Sequence, residues 1–107
     1  MNVVYLVKVE VAPESERLWD DWNSTRHIPD VLAEPGFVRA TKYRLASKAP
    51  DGWAVYWVLY EVETRAALEA YLRGEAVKRL RGDHLARFEK TTRLSREILE
   101  PSARIEK

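Results

Sequence analysis

Trp53-Ala-Val-Tyr-Trp-Val-Leu-Tyr-Glu-Val62 decides how this chain folds. The stretch is dense in valine and aromatic residues, the types that suit a pleated strand. Side chains of a strand alternate between its two faces. Trp53, Val55, Trp57 and Leu59 therefore point one way, and Ala54, Tyr56, Val58, Tyr60 and Val62 the other. Both faces are apolar, so this strand needs cover on both sides.

Working outward, Ala49-Pro-Asp-Gly52 before the strand is a hairpin-type turn. It connects back to residues 37–46, Phe-Val-Arg-Ala-Thr-Lys-Tyr-Arg-Leu-Ala, which read as a second strand. Pro35-Gly36 marks the turn before that. Residues 2–11 are valine-rich and form the first strand. Between them Pro13 and Glu14 open a helix that runs to about His27, where Pro29 limits it. On a 3.6-residue period Leu18, Trp19, Trp22 and Arg26 share one stripe of that helix. After the central strand, Thr64 can cap a second helix over 65–80, with Leu68, Tyr71 and Leu72 buried. Gly82 is read as its breaker, and Asp83 as the cap of one short turn through Phe88. Residues 90–99 form a last, more polar strand, and the tail over 102–107 is read as frayed.

The order is βαββαβ: an α+β, ferredoxin-like domain spanning 1–107, with helices on one face of a four-stranded antiparallel sheet. Two helices cover one face, and a chain of 107 residues has little left for the other. An exposed apolar sheet face is the mark of an interface, and two such faces packed by two-fold symmetry form a homodimer. The alternative is that the strand tips curl under the tail. Alternation alone does not say whether the Tyr56 or the Trp57 face meets the partner.

Composition narrows the function. The net charge is +1 with acids and bases interleaved, which argues against nucleic acid and membrane-surface partners. There is no cysteine, hence no disulfide, thiolate nucleophile or Cys-type zinc site. The first residues enter a strand without a basic leader, and no apolar run is long enough to span a bilayer; the expected location is the cytoplasm. No metal or other cofactor is expected, because two histidines with no third ligand make a weak metal case. There is also no phosphate loop, GxSxG elbow or HExxH pair.

The segment Trp19-Asp-Asp-Trp-Asn-Ser-Thr-Arg-His-Ile-Pro-Asp30 carries the candidate chemistry. Asn23 and His27 stand four apart on one side of a helix end. His27 titrates in the range that suits a general base or acid, although its spacing alone favours a cap on the last helical carbonyls. His84, in Arg81-Gly-Asp-His-Leu85, reads as a surface or hinge histidine. Tyr56, Tyr60 and Tyr71 could fill the core or line a pocket for an aromatic or apolar ligand. Arg93 and Arg96 could neutralise an acid group, one of them being simply solvated.

Trp22 through Tyr43, with His27-Ile-Pro-Asp-Val-Leu32 and Pro35-Gly-Phe37, resembles the dimeric α/β-barrel superfamily, in particular its EthD-like branch and a neighbouring family of uncharacterised bacterial proteins. Tyr56, Tyr60, Tyr71-Leu72, Leu80-Arg81, His84, Phe88 and Ser95-Arg96 fall where those proteins carry like residues. The resemblance implies a homodimer with a cleft in each subunit between sheet and helices. It implies cofactor-independent chemistry, of lyase, cyclase, isomerase or monooxygenase type, on a small apolar carbonyl or aromatic compound. His27 would move a proton, Asn23 and Tyr60 would hold an oxygen, Trp22 and Tyr56 would wall the pocket, and Tyr71, Arg96 and His84 would contact the substrate. Some members of such families act instead as binding or accessory proteins. One departure stands out: Glu75-Ala-Val77 occupies the place where a His-Ala-Pro is expected.

Overall fold

A computed structural model describes residues 1–107. Four strands, β1 (Val3–Val11), β2 (Phe37–Arg44), β3 (Ala54–Val62) and β4 (Thr92–Leu99), form one antiparallel sheet in the order β2-β3-β1-β4. The doubly apolar strand β3 is one of its two central strands, and Val58 pairs with Val7 on one side and Lys42 on the other. The helices are α1 (Glu16–Trp22), α2 (Ile28–Leu32), α3 (Arg65–Arg73) and α4 (Glu75–Phe88). This is the ferredoxin-like α+β architecture.

Two helical boundaries differ from expectation. The first helix does not stop at His27. Asn23–His27 form a π-helical turn, closed by the Ile28 N–H on the Asn23 carbonyl, and α2 continues to Leu32. Pro29 cannot donate to the ladder and its ring crowds the carbonyl four residues back. The wider turn just before it lets the chain stay helical. The second helix breaks at Gly74 rather than Gly82. Gly74 adopts an extended conformation between α3 and α4, where a Cβ would lie 3.2 Å from the Ala70 carbonyl oxygen. Gly82 stays helical because Leu80, His84 and Phe88, spaced by four, all face the core and hold α4 in register. Asp83 is consequently not a cap, and His84 is a buried mid-helix residue instead of a surface or hinge one. Thr64 does cap α3, its Oγ1 accepting from the Ala67 N–H at 3.1 Å.

The helices cover the Tyr56 face of β3. Ala54, Tyr56, Val58, Tyr60 and Val62 are all buried there. They divide between two core clusters. Tyr60 and Val62 pack with Ile28, Val31, Leu68 and Leu80 in one; Tyr56 packs with Trp19, Trp22 and Phe88 in the other. Gly36 lets β2 approach α3: its φ is +85° and an added Cβ would stand 2.5 Å from the Ala67 Cβ. On the opposite face Trp57, Leu59, Val4 and Leu6 are only partly covered, and Tyr43 and Leu99 are exposed. Lys8 lies over the Trp57 ring at 5.4 Å. Residues 100–107 are exposed and carry no regular secondary structure, and no helix is long and apolar enough to cross a membrane.

Candidate functional site

A cavity of about 30 Å³ lies between sheet and helices where the two core clusters meet. Asn23, His27, Tyr60, Tyr71, His84 and Arg96 all line it, so six of the eight sequence-predicted site residues converge there. The π-turn places the first two. The extra residue that it inserts brings His27 to the sheet side and leaves Arg26, expected on the apolar stripe, exposed. π-turns recur at functional sites because they re-aim side chains at little cost to the surrounding helix.

His27 is half-buried and stacks on Trp22, with ring centroids 5.1 Å apart. Its Nδ1 is buried and makes no hydrogen bond. A ring in that position is not capping helical carbonyls through Nδ1, and the helix continues past it. Burial pulls its pKa below the ordinary histidine value; the Asp30 and Asp83 carboxylates oppose this and the Arg96 guanidinium assists it. His84, 6.0 Å away between centroids, is more strongly affected. Burial, with the charge that His27 carries once protonated and the Arg96 guanidinium nearby, lowers its pKa to about 4. Both rings are therefore neutral at pH 7. His84 Nε2 accepts from Trp19 Nε1 at 3.1 Å, so its own proton sits on Nδ1.

Asn23 is buried and polar. Lys42 Nζ donates to its Oδ1 at 3.3 Å and also to Asp20 Oδ1 at 2.5 Å. A lysine can only donate, so this contact orients the amide and leaves the Nδ2 protons for another acceptor. Burial raises the pKa of Tyr60 far above the ordinary phenol range, and that of Tyr71 to about 12. Both are therefore neutral hydroxyl donors.

Trp22 and Tyr56 do not line the cavity. Trp22 backs the His27 ring. Tyr56 belongs to the neighbouring cluster: its ring lies 4.9 Å from Trp19 and its hydroxyl donates to Glu16 Oε2 at 2.7 Å. That carboxylate also binds Arg44 at 2.8 Å. Of the two arginines on β4, Arg93 faces the open side of the sheet. It pairs with Glu10 at 3.3 Å and Asp51 at 2.8 Å and lies 3.9 Å over the Trp53 ring. Arg96 is on the helix side.

Sequence reasoning missed three contributors. Lys42 fixes Asn23 from β2. Tyr5 and Arg81 line the cavity, with Arg81 Nη2 donating to the Tyr5 hydroxyl at 3.0 Å. Arg81 was named only within the family resemblance, with no role attached, and Tyr5 was legible only as a strand residue. Tyr5 and Arg81, with Arg96, also line an outer groove of about 410 Å³, so these three stand between the cavity and the surface.

This geometry is that of the ferredoxin-like α+β fold. The chain belongs to the family described as Domain of unknown function (DUF4286), which it matches over residues 2–102. It is similar in structure to an ethyl tert-butyl ether D (EthD) family protein from Bacillus halodurans C-125, at TM-score 0.67 and 20% identity, covering 94% of this chain and 99% of that one. It is similar to SnoaB, a cofactor-independent oxygenase from Streptomyces nogalater, at TM-score 0.66 and 14% identity over the full length of both chains. HapK from Hahella chejuensis aligns at TM-score 0.71 and 13% identity, covering 98% of this chain and 97% of that one. At these identities the likeness defines the fold. No curated protein matches the sequence.

Proposed function

We propose that this protein is a cofactor-independent enzyme that moves a proton on a small carbonyl or aromatic compound held between sheet and helices. The observation that carries the reading is His27: a neutral, half-buried imidazole with an unpartnered Nδ1, on the same cavity as two neutral donors, Asn23 Nδ2 and the Tyr60 hydroxyl. With its proton on Nε2, His27 offers Nδ1 as a base toward a carbon acid or phenol. The oxyanion that develops would accept from Asn23 and Tyr60, donors shielded from water, with the Asn23 amide already oriented by Lys42. Returning the proton to another carbon gives an isomerisation; bond making or breaking at the enolate gives cyclase or lyase chemistry. Addition of the carbanion's electron pair to dioxygen gives a hydroperoxide, and cleavage of its O–O bond with loss of water leaves a carbonyl, a monooxygenation in which the substrate supplies all the electrons. SnoaB, a cofactor-independent oxygenase on the same fold, supports that range.

The cavity holds about two waters at its present 30 Å³, so it takes the reacting group and the groove outside takes the rest. The same small volume favours a second reading, a binding or accessory protein without turnover. Proton exchange separates them. A panel of small ketones, lactones, phenols and oxo acids is incubated in D2O and followed by NMR. The enzyme reading expects exchange at a carbon acid or ortho position above the buffer rate, reduced about a hundredfold in His27→Gln. No exchange with any member, or equal rates in both proteins, rejects it.

The open Trp57 face supports a homodimer. Trp57 and Leu59 are partly exposed beside Val4 and Leu6 on a sheet whose other face is covered by helices. Two copies stacked through these faces would close the barrel, leaving each cavity on the helix side of its own subunit.

A further inference from the structure

The cations on and beside the sheet are not equivalent. Arg44 and Arg93 are each committed to carboxylates, and Lys42 to Asp20. Arg81 and Arg96 meet no carboxylate, although both face the cavity and the groove. Arg81 is the more telling of the two. Its Nη2 is spent on Tyr5, and its Nε is buried without a partner. A buried, unpaired guanidinium N–H is costly and is kept where something occupies it. Tyr5, having accepted from Arg81, retains its own O–H proton to give away. Glu97 is the one carboxylate on the groove.

We propose that Arg81 and Arg96, with the Tyr5 hydroxyl, form an anion clamp at the throat between groove and cavity, and that the ligand is a small carboxylic acid. This rests on the proposed role of the cavity and adds the substrate class. Guanidinium groups match carboxylate geometry, and two of them beside a phenol donor make a planar, bidentate-capable seat. Neutral His27 and His84 leave these arginines as the cationic groups on the cavity wall. The acid would be anchored at the throat with its reactive carbonyl or ring carbon one or two bonds further in, beside His27. The acid group then acts as a handle and keeps its proton state throughout.

The test compares acids with their neutral amides. Benzoate, 2-hydroxybenzoate, phenylpyruvate and 3-oxobutanoate, each beside its amide, are titrated by calorimetry at low salt against the intact protein. The expected result is at least one acid bound about tenfold or more tighter than its amide, with the preference weakening as salt rises. Arg96→Gln, at an exposed position, should abolish that preference; Arg81→Lys should retain part of it and Arg81→Gln should not. Arg26→Gln, exposed and away from the cavity, should leave it unchanged. No acid preferred over its amide, or a preference that survives Arg96→Gln and Arg81→Gln alike, overturns the clamp. The readouts are separable. Acid preference without proton exchange in the wild type removes the enzyme reading and keeps the clamp. Exchange without acid preference does the reverse.

Discussion

His84 should make this fold pH-sensitive in a window where few other groups contribute. The ring is 4% exposed, accepts from Trp19, and titrates near 4 in the fold against an ordinary 6.5. The unfolded chain therefore takes up a proton as pH falls through 6.5 while the folded chain does not. Stability is fully present above that value and drains away toward pH 4. Linkage with these two values predicts a loss of about 2 kcal/mol between pH 7 and pH 5. His27 is shifted in the same direction and adds to it. Glu16, whose carboxyl is held low by Arg44 and Tyr56, loses its contribution only further down, within the carboxylate range. The assay is urea unfolding at fixed protein concentration, followed by tryptophan fluorescence at half-unit pH steps. His84→Gln keeps an acceptor for Trp19 Nε1 but cannot titrate, so its slope over the window should fall to the share left by His27. A wild-type stability that is flat from pH 7 to pH 5, or an undiminished slope in His84→Gln, would refute this account of the buried histidine pair.

Other expectations follow from single contacts. Leu59→Glu places a charge opposite Leu6 and Thr41 on the open sheet face and should weaken self-association at least about a hundredfold; light scattering coupled to gel filtration reads the mass, and a wild-type monomer would sink the face-to-face pairing. Thr64→Ala removes the cap on the Ala67 N–H and should cost about 1 kcal/mol in chemical denaturation. Gly36→Ala and Gly52→Ala both impose a positive φ on alanine, but only the former meets Ala67, at 2.5 Å, so it should be the more destabilising by about 1–2 kcal/mol. Equal losses at the two glycines would show that the β2–α3 approach has room to relax.

The sheet was legible because its signal is local. Strand β3 carries its own demand for cover on both sides, and the flanking turns leave few ways to arrange four strands and two helical arms. What alternation could not say was which face of β3 the helices take. That depends on where Trp19, Trp22 and Leu68 land, a matter of tertiary packing. Gly82 misled for a related reason. Glycine is a weak helix former, yet its cost of about 1 kcal/mol is smaller than the burial of Leu80, His84 and Phe88 on either side of it. Tyr56 misled differently. It shares its strand face with Tyr60, but the face is long enough to cross from one core cluster into the other, and Glu16 captures the Tyr56 hydroxyl.

The π-turn is the feature that no helical period could reveal, and it ties the fold to the site. A regular helix through this segment would carry Arg26 on the stripe begun by Trp19 and Trp22, and a guanidinium would then face the sheet among apolar side chains. One inserted residue turns Arg26 out and brings His27 in, while Ile28 and Val31 reach the core on the next turn. Pro29 fits the same arrangement, because a proline is tolerated where the ladder has already been interrupted. The sequence signature is therefore the combination of a histidine out of step with its helix and a proline two residues later. The fold accepts a weakened helical turn there and obtains an imidazole set against Trp22, with its Nδ1 unspent beside an amide that Lys42 has already oriented. A histidine kept only for capping would need neither the extra residue nor the neighbour.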